Sequence, residues 1–136
     1  MNLNSRSNKS LLIICSHPIV IAQHLIELTD YISKGFSLSF VTNLSDIDNY
    51  NVLTPLLAKF NFYHIPIRRN PSFSEFSALY KLLRLLFKTK PDIILSFTPK
   101  GGLLSSICSF VYSPFACKFF HIHYFTGILW QSLPLL

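Results

Sequence analysis

The residues with the clearest chemical potential form a short turn in the last third of the sequence, Thr98-Pro99-Lys100-Gly101-Gly102. Thr98 can cap a helix with its side-chain oxygen, and Pro99 suits the first helical position. Lys100 adds a positive charge, and the two glycines would let a ligand approach backbone amides. Together they could bind a phosphate or pyrophosphate at a helix N-terminus. The alternative is an ordinary strand-to-helix turn, because the segment is neither a Walker loop nor a GxGxxG element.

A second candidate site contains His123, which opens the run His-Tyr-Phe-Thr-Gly. Its imidazole could donate a hydrogen bond to a sugar hydroxyl or a phosphate oxygen. Three aromatic residues beside it could pack on a sugar ring or an acyl chain, namely Tyr124, Phe125 and Trp130. The alternative is an ordinary half-buried histidine.

The sequence gives less support for a metal site or for a catalytic nucleophile. His121 and His123 would lie on one side of a strand, an arrangement that two metal ligands require, but no suitable third ligand is fixed near them. We therefore expect no metal site and no cofactor. Cys15, Cys108 and Cys117 lie in apolar surroundings typical of core thiols, and their odd number suits a reducing compartment. No Cys/His or Ser/His/Asp triad is readable.

The composition describes one domain with an excess of positive charge. Of the 136 residues 50% are hydrophobic, enough for a single core. A net charge of +6 favours an anionic partner such as a phosphate, an acidic lipid or nucleic acid. The first apolar run is too short for a signal peptide, so we expect a cytoplasmic location. The apolar stretch from Leu103 is interrupted by Pro114, Lys118, His121 and His123, which favours a core with a membrane-facing surface; a membrane span is the alternative.

The elements that must position these residues alternate along the chain. Apolar runs predict five strands, at residues 11–15, 36–42, 62–67, 93–96 and 119–125. Helical spacing predicts four helical segments, at residues 21–32, 52–60, 72–86 and 99–112. This alternation, with right-handed crossovers, predicts an α/β fold in which a Rossmann-like parallel sheet has helices on both faces.

Three finer predictions concern the helices. Gly35 should end the first helix in a left-handed conformation, and Ser72 with Glu75 should form a capping box. The buried face of the helix after residue 72 should consist of Phe76, Leu79, Leu83 and Leu86. The same helix carries a basic ridge, which faces either anionic lipid headgroups or solvent, formed by Lys81, Arg84 and Lys88.

Several segments together resemble the N-terminal domain of family 4 glycosyltransferases. They are Ile-Pro-Ile-Arg-Arg at 65–69, residues 76–86, Lys-Pro-Asp-Ile-Ile at 90–94, Thr-Pro-Lys-Gly-Gly-Leu-Leu at 98–104, and His-Tyr-Phe-Thr-Gly at 123–127 with Trp130. The resemblance spans residues 11–130. It is most specific in the Thr-Pro-Lys-Gly-Gly and His-Tyr-Phe-Thr-Gly elements, and it resembles most the bacterial enzymes that build surface polysaccharides on polyprenyl-pyrophosphate carriers.

This resemblance implies half of a GT-B fold, whose first domain takes the acceptor while a second domain takes the nucleotide sugar. Transfer would proceed with retention and without a required metal ion. His123 would be catalytic, near the transferred sugar. The substrate-binding residues would be Thr98, Lys100, Gly101, Gly102, Thr126, Gly127 and Arg68. The implied partners are a nucleotide sugar and a lipid-linked saccharide acceptor at the inner face of the membrane, to which the protein would associate peripherally, and not nucleic acid.

The sequence also departs from that family. The turn at residues 15–18 lacks the glycines of many members, and no Glu-containing donor motif is present. Residues 1–10 are expected to be a flexible N-terminus and residues 131–136 a truncated tail. We therefore expect an incomplete enzyme, inactive without a separate donor-binding domain. The alternatives are a membrane-docking, non-catalytic subunit of a two-chain glycosyltransferase, and a related α/β domain without retained activity.

Overall fold

A computed structural model of the chain describes residues 8–68, 72–116 and 118–124. All five predicted strands occur in this part of the chain. They are β1 (Lys9–Ile14), β2 (Phe36–Thr42), β3 (Asn61–His64), β4 (Ile93–Phe97) and β5 (Phe120–Tyr124). The predicted bounds of β2 are confirmed without change. The prediction for β3 was wrong at its end, because the strand stops at His64, beyond which the Ile65 amide still donates to the Thr42 carbonyl of β2 at 3.2 Å.

The strands form one parallel sheet in the order β3-β2-β1-β4-β5. From β1 the chain first builds outward to β2 and β3, and then crosses to the other side of β1 to form β4 and β5. Such a reversal of strand order opens a crevice outside the carboxyl ends of the two central strands, here β1 and β4. The predicted Rossmann-like α/β fold is confirmed.

All four predicted helical segments are present. The α-helices are α1 (Pro18–Val20), α2 (Ile26–Ile32), α3 (Thr54–Lys59), α4 (Ser74–Thr89) and α5 (Pro99–Tyr112). A π-helical turn, Ile21–Leu25, joins α1 to α2, and 3₁₀ turns occupy Leu44–Asn49, Asn51–Leu53 and Ser113–Phe115. No helix in the ranges 8–68, 72–116 and 118–124 has the length and apolar character needed to cross a membrane.

The core has two layers because the sheet is covered on both faces. Leu12 and Ile14 of β1 pack with α4 and α5 on one face. Leu11 and Ile13 of β1 pack on the other face, with residues of the π-helical turn and α3. A strand that is buried on both faces must be apolar at every position, which explains the continuous apolar run that identified β1.

Two predicted helix ends were wrong. None of the described glycines has a positive φ, so Gly35 is not a left-handed cap. The residue that follows α2, Ser33, has ordinary helical geometry. The capping box is also absent, because α4 begins after Phe73 without a side-chain cap and Glu75 instead pairs with Lys100 of α5. A capping box requires the Glu75 carboxylate to accept from the backbone of its own helix, and here that carboxylate is paired with the neighbouring helix instead.

The buried face of α4 is rotated from the predicted one. Its fully covered residues are Ala78, Leu82, Leu85 and Leu86. Leu86 was predicted correctly, and Leu79 and Leu83 are only partly buried. Phe76 is 72% exposed, so its prediction was wrong. Both assignments fit a helical period of 3.6, and only the position of the sheet and α5 selects between them.

Candidate functional site

Thr98 directly follows β4, and its hydrogen bonds connect the carboxyl ends of the two central strands, β1 and β4. Its side-chain oxygen accepts a hydrogen bond from the Gly101 amide at 3.3 Å, and its carbonyl accepts one from the Gly102 amide at 2.8 Å. The hydroxyl of Ser16, just after β1, donates to the same Thr98 side-chain oxygen at 3.0 Å. The prediction that Thr98 caps α5, with Pro99 in the first turn, is confirmed.

The backbone at Thr98 is strained, with φ 70° and ψ 144°. A β-branched residue rarely adopts a positive φ, and such a conformation costs on the order of 1–3 kcal/mol. The bonds to Ser16, Gly101 and Gly102 hold the residue there. Strain of this kind persists where the surroundings over-determine a conformation, and it is concentrated at functional sites.

The two glycines after Lys100 allow close packing, a role that the sequence did not predict for them. A Cβ on Gly101 would lie 2.9 Å from the Thr98 side-chain oxygen and 3.6 Å from the Ile14 carbonyl oxygen. A Cβ on Gly102 would lie 2.1 Å from Cε1 of His123. Neither glycine therefore leaves an open approach for a ligand on its Cβ side. They let the first turn of α5 lie directly against β1 and His123.

The His123 ring is consequently part of the same surface as the α5 turn. The ring lies against Gly102, and its Nδ1 is 2.9 Å from the hydroxyl of Ser96 on the neighbouring strand β4. His121 points to the same side, as predicted, with Nε2 3.1 Å from the Ser96 hydroxyl and 3.0 Å from the Ser105 hydroxyl of α5. The Thr98–Gly102 turn and His123 thus lie together at the carboxyl ends of the strands.

Lys100 differs from its predicted state because its charge has a partner. Its ammonium group forms an ion pair with the carboxylate of Glu75 in the first turn of α4. The Lys100 side chain is 19% exposed and that of Glu75 is 31% exposed, so the pair is partly withdrawn from water. An anionic ligand near Lys100 therefore meets a lysine–glutamate pair and not a full positive charge.

Burial sets the protonation of the neighbouring titratable groups. The pKa of His121 is lowered, first by burial and second by the nearby His123, which favours the neutral imidazole. Burial raises the pKa of Cys15 to about 12 and that of Cys108 to about 11. Both thiols are free and protonated, in agreement with their prediction as core residues. Among the described residues no three metal-binding side chains come together.

Sequence reasoning missed the serines of this site. Ser96 is fully buried, and its hydroxyl connects both histidines. Ser105 is buried as well, and it donates to the Gly102 carbonyl at 3.0 Å. The signal for Ser96 was present, since it is a polar residue inside an otherwise apolar strand that needs a buried partner. Ser105 lies in a small-residue helix and carried no such signal.

The remaining predicted residues are not part of this cluster. Arg68 is exposed and follows β3, which lies at the opposite edge of the sheet from β5. Thr126 and Gly127 lie outside the described residues, as do Phe125, Trp130 and Cys117. Two surface cavities, of about 300 and 370 Å³, lie away from the cluster. The first is lined by Ser10, Ser37 and Lys88, and the second by Ser33, Phe36 and Lys59, among others.

Comparison with known proteins yields one structural likeness. No protein-family model matches the chain, and no curated protein matches it. The crystal structure of Acinetobacter baumannii MurG is similar with a TM-score of 0.49 and 13% sequence identity, over 94% of this chain and 43% of that one. The chain thus spans less than half the length of that protein.

Proposed function

We propose that this chain is the acceptor-side domain of a retaining GT-B glycosyltransferase of the family 4 type. In this proposal the domain binds a lipid-linked saccharide during surface polysaccharide biosynthesis. A second, donor-binding domain supplies the nucleotide sugar across a cleft. Transfer then requires both domains, because the reacting groups must be positioned against each other.

One observation carries the proposal. The His123 ring packs so closely on Gly102 that a Cβ on Gly102 would overlap the ring. The two motifs most specific for the resemblance therefore share one surface. That surface begins at the crevice between β1 and β4, where ligands of open α/β sheets bind.

In this proposal the residues of the site contact different parts of the substrates. His123 would act beside the transferred sugar, and Lys100 with Thr98 would face the phosphate-bearing end of the acceptor. Because Glu75 already pairs with Lys100, an anion must compete with a carboxylate for the ammonium group. The pair would therefore reduce the affinity of the site for simple anions.

A binding measurement tests these contacts. The probe is farnesyl pyrophosphate, a short polyprenyl pyrophosphate, titrated into the full chain and followed by calorimetry. We expect Lys100→Ala and His123→Ala to weaken binding roughly fivefold or more. Glu75→Gln should strengthen it, because it removes the competing charge. Lys118→Ala changes an exposed lysine before β5, at the far end of that strand, and should leave binding unchanged. Equal binding by all four variants would refute the site.

A specific surface favours a second function, docking to a membrane. Apolar side chains on α4 and α5 and directly beside these helices remain exposed on one face of the sheet. Those with at least two thirds of their surface in water are Phe73, just before α4, Phe76 and Tyr80 of α4, Phe110 of α5, and Phe115 in the 3₁₀ turn after α5. Phe87 of α4 contacts the rings of Tyr112 and Phe115, which joins the two helices into one surface. We call these five exposed aromatic residues the aromatic patch. Large exposed apolar patches mark protein or membrane contacts.

Positive charge lies beside the aromatic patch. Lys81, Arg84 and Lys88 of α4 are all exposed, as predicted. Tyr80 is adjacent to Lys81 in sequence, and on a helix it is one turn from Arg84. Aromatic rings next to basic residues suit the headgroup region of an anionic membrane, where each basic residue contributes about 1 kcal/mol. This surface would hold the domain at the inner face of the membrane.

Vesicle sedimentation tests the docking surface. The full chain should bind vesicles that contain phosphatidylglycerol and should bind phosphatidylcholine vesicles weakly. Phe76→Ser and Lys81→Glu should each reduce binding to the anionic vesicles. The matched controls are Tyr31→Ser and Lys34→Glu, exposed residues at the end of α2, whose helix packs on the opposite face of the sheet. Similar losses from the controls and the test variants would exclude this surface.

The two functions can be separated. A non-catalytic docking subunit would need the aromatic patch and would tolerate His123→Ala when it is combined with its donor-binding partner. An acceptor-side domain would lose sugar transfer on the same substitution. The assay is transfer from a nucleotide sugar to a polyprenyl-pyrophosphate saccharide by the co-purified pair. The chain alone should show no transfer.

A further inference from the structure

The two histidines of β5 and two buried serines form one hydrogen-bonded group. The Ser96 hydroxyl is 3.1 Å from Nε2 of His121 and 2.9 Å from Nδ1 of His123. The Ser105 hydroxyl is 3.0 Å from the same His121 Nε2 and donates to the Gly102 carbonyl at 3.0 Å. Each serine hydroxyl has a single hydrogen to donate, so the directions of these bonds can be derived.

The Gly102 carbonyl determines the first direction. A carbonyl oxygen can only accept, and a serine inside a helix commonly donates to a carbonyl of the preceding turn. We therefore assign the one hydrogen of Ser105 to the Gly102 carbonyl and not to Nε2 of His121, which is equally near at 3.0 Å. Toward His121 the Ser105 oxygen must accept, which requires that Nε2 of His121 carries a hydrogen. Burial of His121 lowers its pKa and favours the neutral ring, in which Nδ1 then carries none.

The second direction follows at Ser96. Nε2–H of His121 lies within hydrogen-bond distance of both serine oxygens, so Ser96 also accepts from it. The hydrogen of Ser96 then has two acceptors in reach, the Ile122 carbonyl at 3.5 Å and Nδ1 of His123 at 2.9 Å. The shorter contact is the stronger bond, so Ser96 donates to Nδ1 of His123.

From these directions we infer that Ser96, His121 and Ser105 are positioning residues that hold neutral His123 in the tautomer with its hydrogen on Nε2. A neutral imidazole has one hydrogen, and an accepting Nδ1 leaves it on Nε2. In that state Nε2 is a hydrogen-bond donor and cannot accept a proton.

The consequence for the site rests on the proposed function. His123 would donate from Nε2 to an oxygen of the bound ligand, a sugar hydroxyl or a phosphate oxygen. It would not act as a general base through that nitrogen. The close contact with Gly102 supports this role, because it limits the positions that the ring can adopt.

Nuclear magnetic resonance reads the tautomer directly. The full chain is labelled with ¹⁵N-histidine and measured at about pH 8, where histidine is ordinarily neutral. The ¹⁵N shifts of the two ring nitrogens report which one carries the hydrogen. We expect His123 to carry it on Nε2 and exposed His24 to show a mixture of tautomers. A His123 that carries its hydrogen on Nδ1, or shows the same mixture as His24, would overturn the inference.

Variants separate positioning from mere packing. Ser96→Ala should move His123 toward a mixture of tautomers, because it removes the donor to Nδ1. Ser105→Ala should leave this bond in place but weaken the hold on His121. Control Ser106→Ala changes an exposed serine of α5 and should alter neither ring. An unchanged His123 spectrum in Ser96→Ala would exclude the positioning role.

The same variants test the consequence for binding. Ser96→Ala should weaken farnesyl pyrophosphate binding by roughly threefold to tenfold, the value of one hydrogen bond. The tautomer is measured without any ligand, so a wrong tautomer refutes this inference and leaves the proposed function standing. A correct tautomer without ligand binding would instead refute the proposed function.

Discussion

The two central strands, β1 and β4, are connected by different side-chain hydrogen bonds at their amino ends and at their carboxyl ends. At the amino end, the Asp92 carboxylate accepts from the Ser10 amide at 2.8 Å and from the Ser10 hydroxyl at 2.9 Å. At the carboxyl end, the Ser16 hydroxyl meets the Thr98 hydroxyl, and Thr98 is strained. The amino end has a simple charge-assisted clamp, whereas the carboxyl end combines strain, buried serines and two histidines. The amino end thus has the features of a purely structural contact, and the carboxyl end has the features on which the proposed site rests.

The strongest test of this contrast compares two glycines. Gly102→Ala should destabilise the protein by about 1–3 kcal/mol, because the new Cβ overlaps the His123 ring. Gly35→Ala, in the turn before β2, should have little effect, since the nearest atom to its new Cβ is 4.0 Å away. Urea denaturation measures both. The double variant Gly102→Ala with His123→Ala should recover part of the loss, and equal losses at the two glycines would contradict the contrast.

The strain at Thr98 predicts the next largest effect. Thr98→Ala removes the helix cap and the bond to Ser16 but keeps the positive φ, and should cost about 1 kcal/mol or slightly more. Thr98→Gly also loses the cap, but glycine adopts this φ without strain, so it should be less destabilising than Thr98→Ala. The free energies of unfolding in urea decide the order. If glycine is the worse substitution, the strain is not significant.

At the amino end, Asp92→Asn should have a smaller effect, below about 1 kcal/mol, because the clamp is exposed. Hydrogen bonds from Ser10 lower the pKa of Asp92 below its ordinary value of 3.8. The stability that the carboxylate contributes is therefore present above that value and lost as the pH falls through the lowered pKa. Acid unfolding should be less steep in Asp92→Asn. An unchanged acid profile would show that the clamp contributes nothing.

The smallest expected effect is the pH dependence from His121. Its folded pKa lies below the ordinary value of 6.5, so below that pH the unfolded chain binds more protons than the folded one. The free energy of unfolding should therefore decrease as the pH falls from 6.5 toward the lowered pKa. His121→Gln should reduce this dependence while Asp92→Asn should not. A profile that is identical in His121→Gln and the wild type would assign the dependence elsewhere.

Much of the fold could be predicted from local patterns. β2 matched its prediction residue for residue, and α5 began at Pro99 and ended at Tyr112 as expected, because an N-cap, a proline and an apolar period mark such elements locally. The errors at Gly35, Glu75 and Phe76 share one cause. Each depends on what packs against the residue, and a local pattern does not contain that information.

The candidate site was predictable in part. Thr98 and His123 were identified from their residue types and positions at strand ends, and the parallel fold placed them at the same edge. The role of the glycines could not be predicted, since it depends on the distance from Gly102 to a ring on β5. The partners of Lys100 and His123 were missed for the same reason, since they come from α4 and β4.

The sequence by itself determined the alternation of strands and helices, the parallel sheet and the cap of α5, because these follow from periodicity and residue chemistry within short segments. Only the tertiary structure decided which face of α4 is buried, that Glu75 neutralises Lys100, and that Ser96 connects His121 with His123. Such contacts join residues that are distant in the chain, and their energies depend on distances of a few tenths of an ångström that arise only when the elements pack together.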